Sequence, residues 1–233
     1  MENDSMSTAP ATASCASIPD HLNPDIVHVS NHPLILDRLA RLRDKACNTE
    51  DFRRNMEQIS YMLAYEACAH LKTQDVTVQT PLTAMTGQRF NRLPPVIVPI
   101  LRAGLGLTKG FEYLLPECVV GHIGMYRDED TKRPVDYLLR LPRDMNRPVF
   151  LLDPMLATGH SSLRAAEILI EKGAKEEDII CVFLIAAPEG LALFQNRFPK
   201  MHIHLAAIDS HLNEHAFIVP GLGDAGDRLL GTE

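Results

Sequence analysis

The chain has 233 residues, of which 45% are hydrophobic and 23% charged, enough for one well-buried domain of ordinary composition. Its formal net charge of −7 argues against nucleic acid or an anionic membrane as the main partner. Its five cysteines are odd in number and lack a C-x-x-C pair. No apolar run reaches the ~18 residues of a membrane span. The acidic start of the chain is unlike a signal peptide. We therefore expect a cytoplasmic protein with reduced thiols.

The first quarter of the chain changes character near residue 26. Residues 1–25 are rich in Ser, Thr, Ala and Pro without a period, which predicts a disordered tail. Residues 26–73 predict two N-terminal helices, the first opened by Pro33 and the second capped by Thr49. Their apolar faces are spaced by three or four residues: Ile35, Leu39, Leu42 and Ala46, then Phe52, Met56, Ile59, Leu63, Ala67 and Leu71.

From about residue 75, short apolar runs alternate with helical segments. The predicted strands are 76–78, 95–100, 119–125, 148–152, 179–186 and 202–208, with helices near 107–114, 163–172 and 188–198. Near-continuous apolar strands separated by helices predict an α/β fold with a mostly parallel sheet covered on both faces. We expect a single domain over residues 26–233, with a charged excursion over 126–140.

Ligands in such sheets bind beyond the carboxyl ends of the strands. The predicted strand 148–152 is followed by Asp153 and then by the small residues of 157–162, Ala-Thr-Gly-His-Ser-Ser, before a helix. Converging backbone N–H groups, the hydroxyls of Thr158, Ser161 and Ser162, and the helix dipole would together hold a phosphate. A helix that is merely capped is the alternative. A hydrolase nucleophile elbow is disfavoured, because its second glycine is replaced by Leu163.

Two histidines raise the question of a metal site. His202 and His204 share one face of a predicted strand, but no third or fourth ligand stands at a suitable spacing. We therefore expect no metal bound directly by the protein.

The segment 153–159, Asp-Pro-Met-Leu-Ala-Thr-Gly, closely resembles the phosphoribosyl-diphosphate (PRPP) motif of type I phosphoribosyltransferases, in the form found in the uracil phosphoribosyltransferase family. Most other members begin the motif with two acidic residues, whereas here Pro154 follows Asp153. Further segments resemble the pyrophosphate loop (98–106), the start of the flexible arm (124–127), a family-like stretch (186–190) and the uracil-binding segment (218–227). The resemblance runs from about residue 27 to the end of the chain.

The resemblance implies transfer of phosphoribose from PRPP to N1 of uracil, giving uridine monophosphate and diphosphate. It implies an arm over 126–140 and a base-binding hood over 209–233. Catalytic roles fall to Asp153, Arg102 and Arg127. The implied PRPP-binding set is Arg102, Arg127, Asp153, Pro154, Met155, Leu156, Ala157, Thr158, Gly159, His160, Ser161 and Asp224; the uracil-binding set is Ile218, Gly223, Asp224 and Ala225.

Further expectations concern cofactor and partners. Mg²⁺ is expected to bind through PRPP and water, with no protein ligand assigned. Related enzymes are dimers or tetramers, and some respond to GTP, so a homodimer or homotetramer and a nucleotide effector are expected.

His160 departs from the family pattern, which has a second glycine there. If that residue needs positive φ, histidine costs about 1 kcal/mol, and we expect activity to survive. Two alternatives stay open: a regulatory protein that has kept the fold and lost turnover, and a transferase for another base.

Overall fold

A computed structural model describes residues 18–20, 22–91, 93–127 and 134–232. Its main sheet contains β1 (Val27–Val29), β4 (Val96–Leu101), β5 (Val119–Val120), β6 (His122–Arg127), β7 (Pro134–Arg140), β8 (Val149–Leu152), β9 (Met155–Leu156), β10 (Ile179–Ala186) and β11 (His202–Ile208). The strand order is β1-β11-β10-β8-β4-β6-β7, with β5 paired to β4 and β9 to β10. All pairings are parallel except that between β6 and β7. The predicted α/β class with a mostly parallel sheet is confirmed.

Six helices flank the sheet in the described part of the chain. They are α1 (Pro33–Arg43), α2 (Thr49–Ala67), α3 (Thr108–Leu114), α4 (His160–Glu171), α5 (Pro188–Arg197) and α6 (Ala225–Leu230). Two further pairs of strands lie outside the main sheet: β2 (Thr73–Gln79) with β3 (Ala84–Phe90), and β12 (His211–Leu212) with β13 (Ile218–Val219).

Alternating residues of each central strand enter two different cores. In β10, Cys181 and Phe183 pack on one face, and Ile180 and Val182 pack on the other. The first face is covered by α4 and α5, and the second by α1, α2 and α3. Eight consecutive buried residues in β10 explain why this strand reads as an unbroken apolar run.

The N-terminal helices form where the sequence predicts them, with small differences at their ends. Asn48, not Thr49, caps α2: its side-chain oxygen accepts a hydrogen bond from the Asp51 N–H at 2.9 Å. Ala46 and Leu71 lie outside the two helices. The pattern therefore predicts the helix faces correctly, whereas the ends depend on capping.

Three other predictions differ from the structure. The predicted tail 1–25 ends too late, because Leu22 is buried and the Asn23 N–H donates to Gln195 Oε1 at 3.0 Å; residues 1–17 lie outside the described residues. The run at 76–78 belongs to the separate antiparallel hairpin β2–β3. The strand predicted over 119–125 is divided at Gly121 into β5 and β6.

Within the described ranges, none of the helices is long and apolar enough to cross a bilayer. The four cysteines in these ranges, at positions 47, 68, 118 and 181, are free thiols.

Candidate active site

The loop after β8 is fixed along the neighbouring strand β10. The Asp153 N–H donates to Val182 O at 3.2 Å, and Pro154 O accepts from the Leu184 and Ile185 N–H groups at 3.0 and 3.1 Å. The short strand β9 continues the pairing to Ala186. The Asp-Pro start of the loop is therefore anchored through its backbone. Pro154, at the position where most type I phosphoribosyltransferases outside the uracil family have a second acid, supplies its carbonyl to β10.

Two glycines let the loop turn into α4. Gly159 has φ +84°, a left-handed conformation that a side chain resists. A Cβ at Gly190, in the first turn of α5, would lie 2.0 Å from Ala157 O. The backbone of α5 thus touches the loop directly, which accounts for the Pro-Glu-Gly stretch that follows β10.

The first turn of α4 has backbone N–H groups without partners inside the helix. Leu163 donates the bond to Gly159 O at 2.8 Å, and the N–H groups before it have no intrahelical partner. Gly159 provides no side-chain cap. The Ser161 side chain is exposed, whereas that of Ser162 is buried, which leaves the Ser162 hydroxyl little access to a ligand. Unpaired N–H groups at a helix N-terminus are the kind of group that binds anions.

His160 is the first residue of α4 and is exposed. The positive φ belongs to Gly159 before it, and Ala216 is the non-glycine residue with positive φ in the described ranges. The strain considered for a histidine at position 160 therefore does not arise, and its imidazole lies at the surface beside the helix start.

Asp153 stands at the carboxyl end of β8, partly exposed. Desolvation by the surrounding protein raises the pKa of its carboxyl to about 7, while a hydrogen bond from the Met155 backbone lowers it. A carboxyl whose pKa is shifted this far by desolvation is typical of functional sites. It can switch between donating and accepting hydrogen bonds within the working range of an enzyme.

Arg102 follows β4, the strand next to β8. The peptide bond between Leu101 and Arg102 is cis. The Arg102 side chain is 56% exposed, and its Nη2 lies 3.5 Å from Asp227 Oδ1. In the turn that follows, a Cβ at Gly104 would lie 2.4 Å from Leu152 O. The arginine turn therefore rests directly on the end of β8.

Arg127 is the last residue of β6. Because Leu101 at the end of β4 pairs with Gly124, residue 127 lies beyond the carboxyl edge of β4, on the side where the other loops gather. The prediction of an arm over 126–140 corresponds in part to the antiparallel pair β6–β7. Residues 128–133 and the Arg127 side chain lie outside what the structure describes, and the role of Arg127 stays a prediction.

The C-terminal glycine segment is held by two arginines. Arg43 contacts both carboxylate oxygens of Asp209, at 2.5 and 2.8 Å, and donates to Gly221 O at 2.8 Å. The Gly221 N–H donates to Asp209 Oδ2 at 2.9 Å. Arg228 donates to Leu222 O at 2.7 Å and lies over the ring of Phe52. The segment is thus fixed through its backbone.

The predicted base-contacting residues take different positions. Ile218 and Ala225 are buried, so a ligand could meet only their backbone groups. Gly223 has φ +73°. Asp224 Oδ1 accepts from the Asp227 N–H at 3.0 Å and caps α6, so this carboxylate is engaged in the fold. Gly226 lies against Ala103, which places the segment beside the arginine turn.

Sequence reasoning missed four residues of this region: Arg43, Asp209, Asp227 and Arg228. Asp209 could have been identified from the sequence, since it directly follows the apolar strand β11 just as Asp153 follows β8. Arg43 could not, because it lies 166 residues away from its partner.

A separate cavity of 720 Å³ is lined by residues of 73–95 and 114–118. It lies beside the amino ends of β4 and β5, at the edge of the sheet opposite the loops described above. Its location gives it no part in the chemistry of those loops.

A parallel sheet in which a glycine turn and a helix follow one central strand, β8, and an arginine turn follows its neighbour, β4, is the arrangement of a type I phosphoribosyltransferase. The family model for uracil phosphoribosyltransferase matches residues 29–232. The chain belongs to the uracil phosphoribosyltransferase family, and it is an enzyme of the phosphoribosyltransferase class.

Individual relatives extend this match over most of the chain. The uracil phosphoribosyltransferase of Lactococcus lactis subsp. cremoris (strain MG1363) is 48% identical over 206 residues, covering 88% of this chain and 98% of the relative. That of Staphylococcus epidermidis is 47% identical over 208 residues, covering 89% and 99%. Among solved structures, the AQ2163 protein from Aquifex aeolicus has a TM-score of 0.81 and 34% identity, over 87% of this chain and 97% of that one.

Proposed function

We propose that this chain transfers the 5-phosphoribosyl group from PRPP to N1 of uracil, forming uridine monophosphate and diphosphate in pyrimidine salvage. One observation carries the proposal: the anion cradle at the start of α4, the arginine turn after β4 and the C-terminal glycine segment meet at one edge of the sheet. Family membership supports the choice of uracil.

The parts of the site have distinct roles in this reaction. The N–H groups at the start of α4 hold the 5′-phosphate, and Asp153 accepts hydrogen bonds from the ribose hydroxyls. Arg102 binds the diphosphate, for which its planar fork of donors is suited. The Arg102 side chain is 56% exposed and contacts Asp227 at 3.5 Å, so it is accessible to a diphosphate. Arg127 completes the hold on diphosphate from β6.

The reaction exchanges one bond at the anomeric carbon. The C1′–O bond to diphosphate breaks with its electron pair on oxygen, the N1–C1′ bond forms, and the N1 proton passes to solvent. The transition state has oxocarbenium character, so positioning and stabilisation of the leaving group carry the rate. We assign no general base.

Mg²⁺ would bind through PRPP oxygens and water, and the partly exposed carboxylate of Asp153 is an oxygen donor that suits water-mediated contact with the ion. Magnesium prefers carboxylate, water and phosphate oxygens, and most of its ligands here would come from PRPP. When bound, the ion neutralises charge on the departing diphosphate. The protein's own contribution to that charge balance is Arg102.

Backbone readout accounts for selection of uracil. The segment 218–225 offers main-chain donors and acceptors at fixed positions, since Arg43 and Arg228 hold its carbonyls. Cytosine reverses hydrogen-bond polarity at N3 and at the exocyclic position, which would leave a buried polar group mispaired.

We further propose that the protein is cytoplasmic and forms a homodimer or homotetramer. Free thiols at four separated positions support the first point. Apolar side chains exposed on the β2–β3 hairpin, Leu82, Met85 and Phe90, support the second. Light scattering of the purified chain measures the assembly, and repeating it with GTP tests the expected nucleotide effector.

One assay tests the function. The purified chain is given PRPP and Mg²⁺ with uracil, cytosine, hypoxanthine or adenine in turn, and nucleotide formation is followed. We expect product with uracil alone. Product from another base would overturn the assignment of uracil, and tight PRPP binding with no product from any base would favour a regulatory protein.

A further inference from the structure

Four histidines from three separate parts of the chain meet at one edge of the main sheet. His28 lies on β1, His202 and His204 lie on β11, and His70 lies in a short 3₁₀ helix (Cys68–His70) after α2. The positions of His28 and His70 in the sequence give no indication that their rings lie beside β11. The structure therefore supplies the partners that the sequence analysis found lacking for His202 and His204.

The register of the strands explains the meeting. His28 pairs directly with His204 across β1 and β11, and His202 stands two residues earlier on the same face. Their partners on β10, Ile180 and Val182, belong to the core beneath α2. The hydrogen bond from Ser30 Oγ to Glu66 Oε1, 2.7 Å long, ties the end of β1 to α2 and so brings His70 over the same face.

The nitrogen atoms are close enough to share one ion. His28 Nε2 is 3.0 Å from His202 Nδ1, and one ring nitrogen from each of His28, His70 and His202 lies within 4.8 Å of the others. Tetrahedral Zn²⁺ with bonds of about 2.0–2.1 Å to imidazole sets its ligand nitrogens roughly 3.3 Å apart. Small rotations of partly buried rings bridge the difference.

His204 supports the group from the inside. It is 96% buried, its Nε2 lies 2.9 Å from His70 Nε2, and its Nδ1 has no hydrogen-bond partner among the described residues. An unpaired buried ring nitrogen is costly unless the site has a further occupant.

The imidazoles are also in the protonation state that a metal requires. Burial lowers the pKa of all four, to about 4 for His70 and about 3 for His204, with repulsion among the rings adding to the effect at His28, His70 and His204. At neutral pH the rings are therefore uncharged, and neutral imidazole is the ligand form of histidine.

We propose that His28, His70 and His202 form a binding site for one borderline divalent transition-metal ion, Zn²⁺ foremost, with His204 positioning His70 and solvent in the fourth place. Imidazole nitrogens favour Zn²⁺ and disfavour Mg²⁺, which takes oxygen ligands. The site lies at the amino-terminal half of β11, whereas the substrate loops follow the carboxyl ends of the strands. It would fasten the edge strand β1 and the end of α2 to the sheet, without a role in phosphoribosyl transfer.

The test uses the full chain, produced without a histidine tag and freed of metal with a chelator. Co²⁺ is titrated in as a spectroscopic probe and then displaced with Zn²⁺, in the presence of excess Mg²⁺. We expect one ion per chain, ligand-field bands of four-coordinate Co²⁺, their loss on adding Zn²⁺, and a higher midpoint of thermal unfolding with Zn²⁺.

Single variants locate the site. We expect His28→Asn and His202→Asn each to weaken Co²⁺ binding beyond the roughly 10–100-fold that loss of an outer-shell partner costs. The matched control is His215→Asn, which changes an exposed histidine outside the cluster. If His202→Asn fails to fold, His28→Asn on the edge strand carries the test. The absence of stoichiometric binding by the wild-type chain, or unchanged binding in a folded His28→Asn, would overturn the proposal.

Discussion

Arg43 and Asp209 form an ion pair that fixes the C-terminal glycine segment at Gly221. Both Asp209 carboxylate oxygens are held by Arg43, and the pair also engages the N–H and C=O of Gly221. The Arg43 side chain is 17% exposed and that of Asp209 is 3% exposed. An ion pair so placed acts on the geometry of the glycine segment as much as on the stability of the fold.

Replacing Arg43 by methionine should therefore lower the stability of the fold and disturb the geometry of the glycine segment. Removing one partner of a buried pair leaves the other charge without compensation, at a cost of about 3–5 kcal/mol in the free energy of unfolding. We also expect the KM for uracil to rise more than the KM for PRPP, because Gly221 belongs to the segment that we propose binds uracil. Urea unfolding and steady-state kinetics with each substrate varied measure the two effects.

Arg41→Met is the matched control, since Arg41 pairs with Asp37 on the exposed side of the same helix. We expect little change from it in either measurement. The interpretation fails if Arg43→Met leaves the uracil KM unchanged while stability falls, because the pair would then serve the fold alone.

The raised pKa of Asp153 leads us to expect that stability and PRPP turnover both depend on pH near neutrality. The pKa of its carboxyl is raised to about 7 from an ordinary 3.8. Between those values the folded chain holds a proton that the unfolded chain has lost, so this group's contribution to stability falls as pH rises. PRPP binding should instead strengthen as the pH rises, because the ribose hydroxyls donate hydrogen bonds to the ionised carboxylate of Asp153. We expect kcat/KM for PRPP to rise as the pH approaches 7 and then to level off.

Asp153→Asn should remove that rise. A hydrogen bond to a charged group contributes about 1.5–3 kcal/mol, so we expect kcat/KM for PRPP to fall about ten- to hundredfold at pH 8, with a flatter profile below it. An unchanged pH profile in a folded Asp153→Asn chain would show that another group titrates.

The contact between Gly190 and the cradle gives a third prediction. A Cβ at position 190 would lie 2.0 Å from Ala157 O, so Gly190→Ala must displace the loop after β8. We expect a loss of about 1–3 kcal/mol in stability, typical of overpacking, and a raised KM for PRPP. Chemical unfolding and PRPP kinetics measure the two.

Gly173→Ala separates these effects. Gly173 has φ +98° with open space around it, so alanine there strains the backbone without touching the cradle. We expect it to lower stability while the KM for PRPP stays near that of the wild type. Equal KM changes in both variants would mean that general destabilisation, and not displacement of the loop, weakens PRPP binding.

The sequence predicts those parts of the site whose chemistry is local. Asp153 and the glycine turn follow the buried strand β8 within a few residues, so the end of that strand indicates them. Arg102 is indicated by the resemblance of 98–106 to the family's pyrophosphate loop, because an arginine after a strand is by itself more often only solvated. Long-range pairs carry no such signal. Arg43 meets Asp209 across 166 residues, and His70 meets His204 across 134.

Short elements escaped prediction for a related reason. β1 has three residues and no period of its own, and it forms because its edge pairs with β11. The hairpin β2–β3 is largely exposed, so its second strand lacks the apolar run by which strands are recognised. In both cases pairing with another part of the chain decides the conformation.

His160 gives the last prediction. It begins α4 at the position where the family pattern has glycine, yet it is exposed and helical, and Gly159 supplies the turn. A ligand approaching the cradle meets backbone N–H groups that are present with either residue. We therefore expect wild-type activity to be intact and His160→Gly to change kcat/KM for PRPP by less than about tenfold, or 1.4 kcal/mol in transition-state binding.

Steady-state assays of the wild-type and His160→Gly chains at pH 8 test this expectation. Gly159→Ala is the contrasting variant, because the positive φ of Gly159 and the nearby Gly190 O make alanine unfavourable there. A wild-type chain that forms no uridine monophosphate until residue 160 is glycine would contradict it.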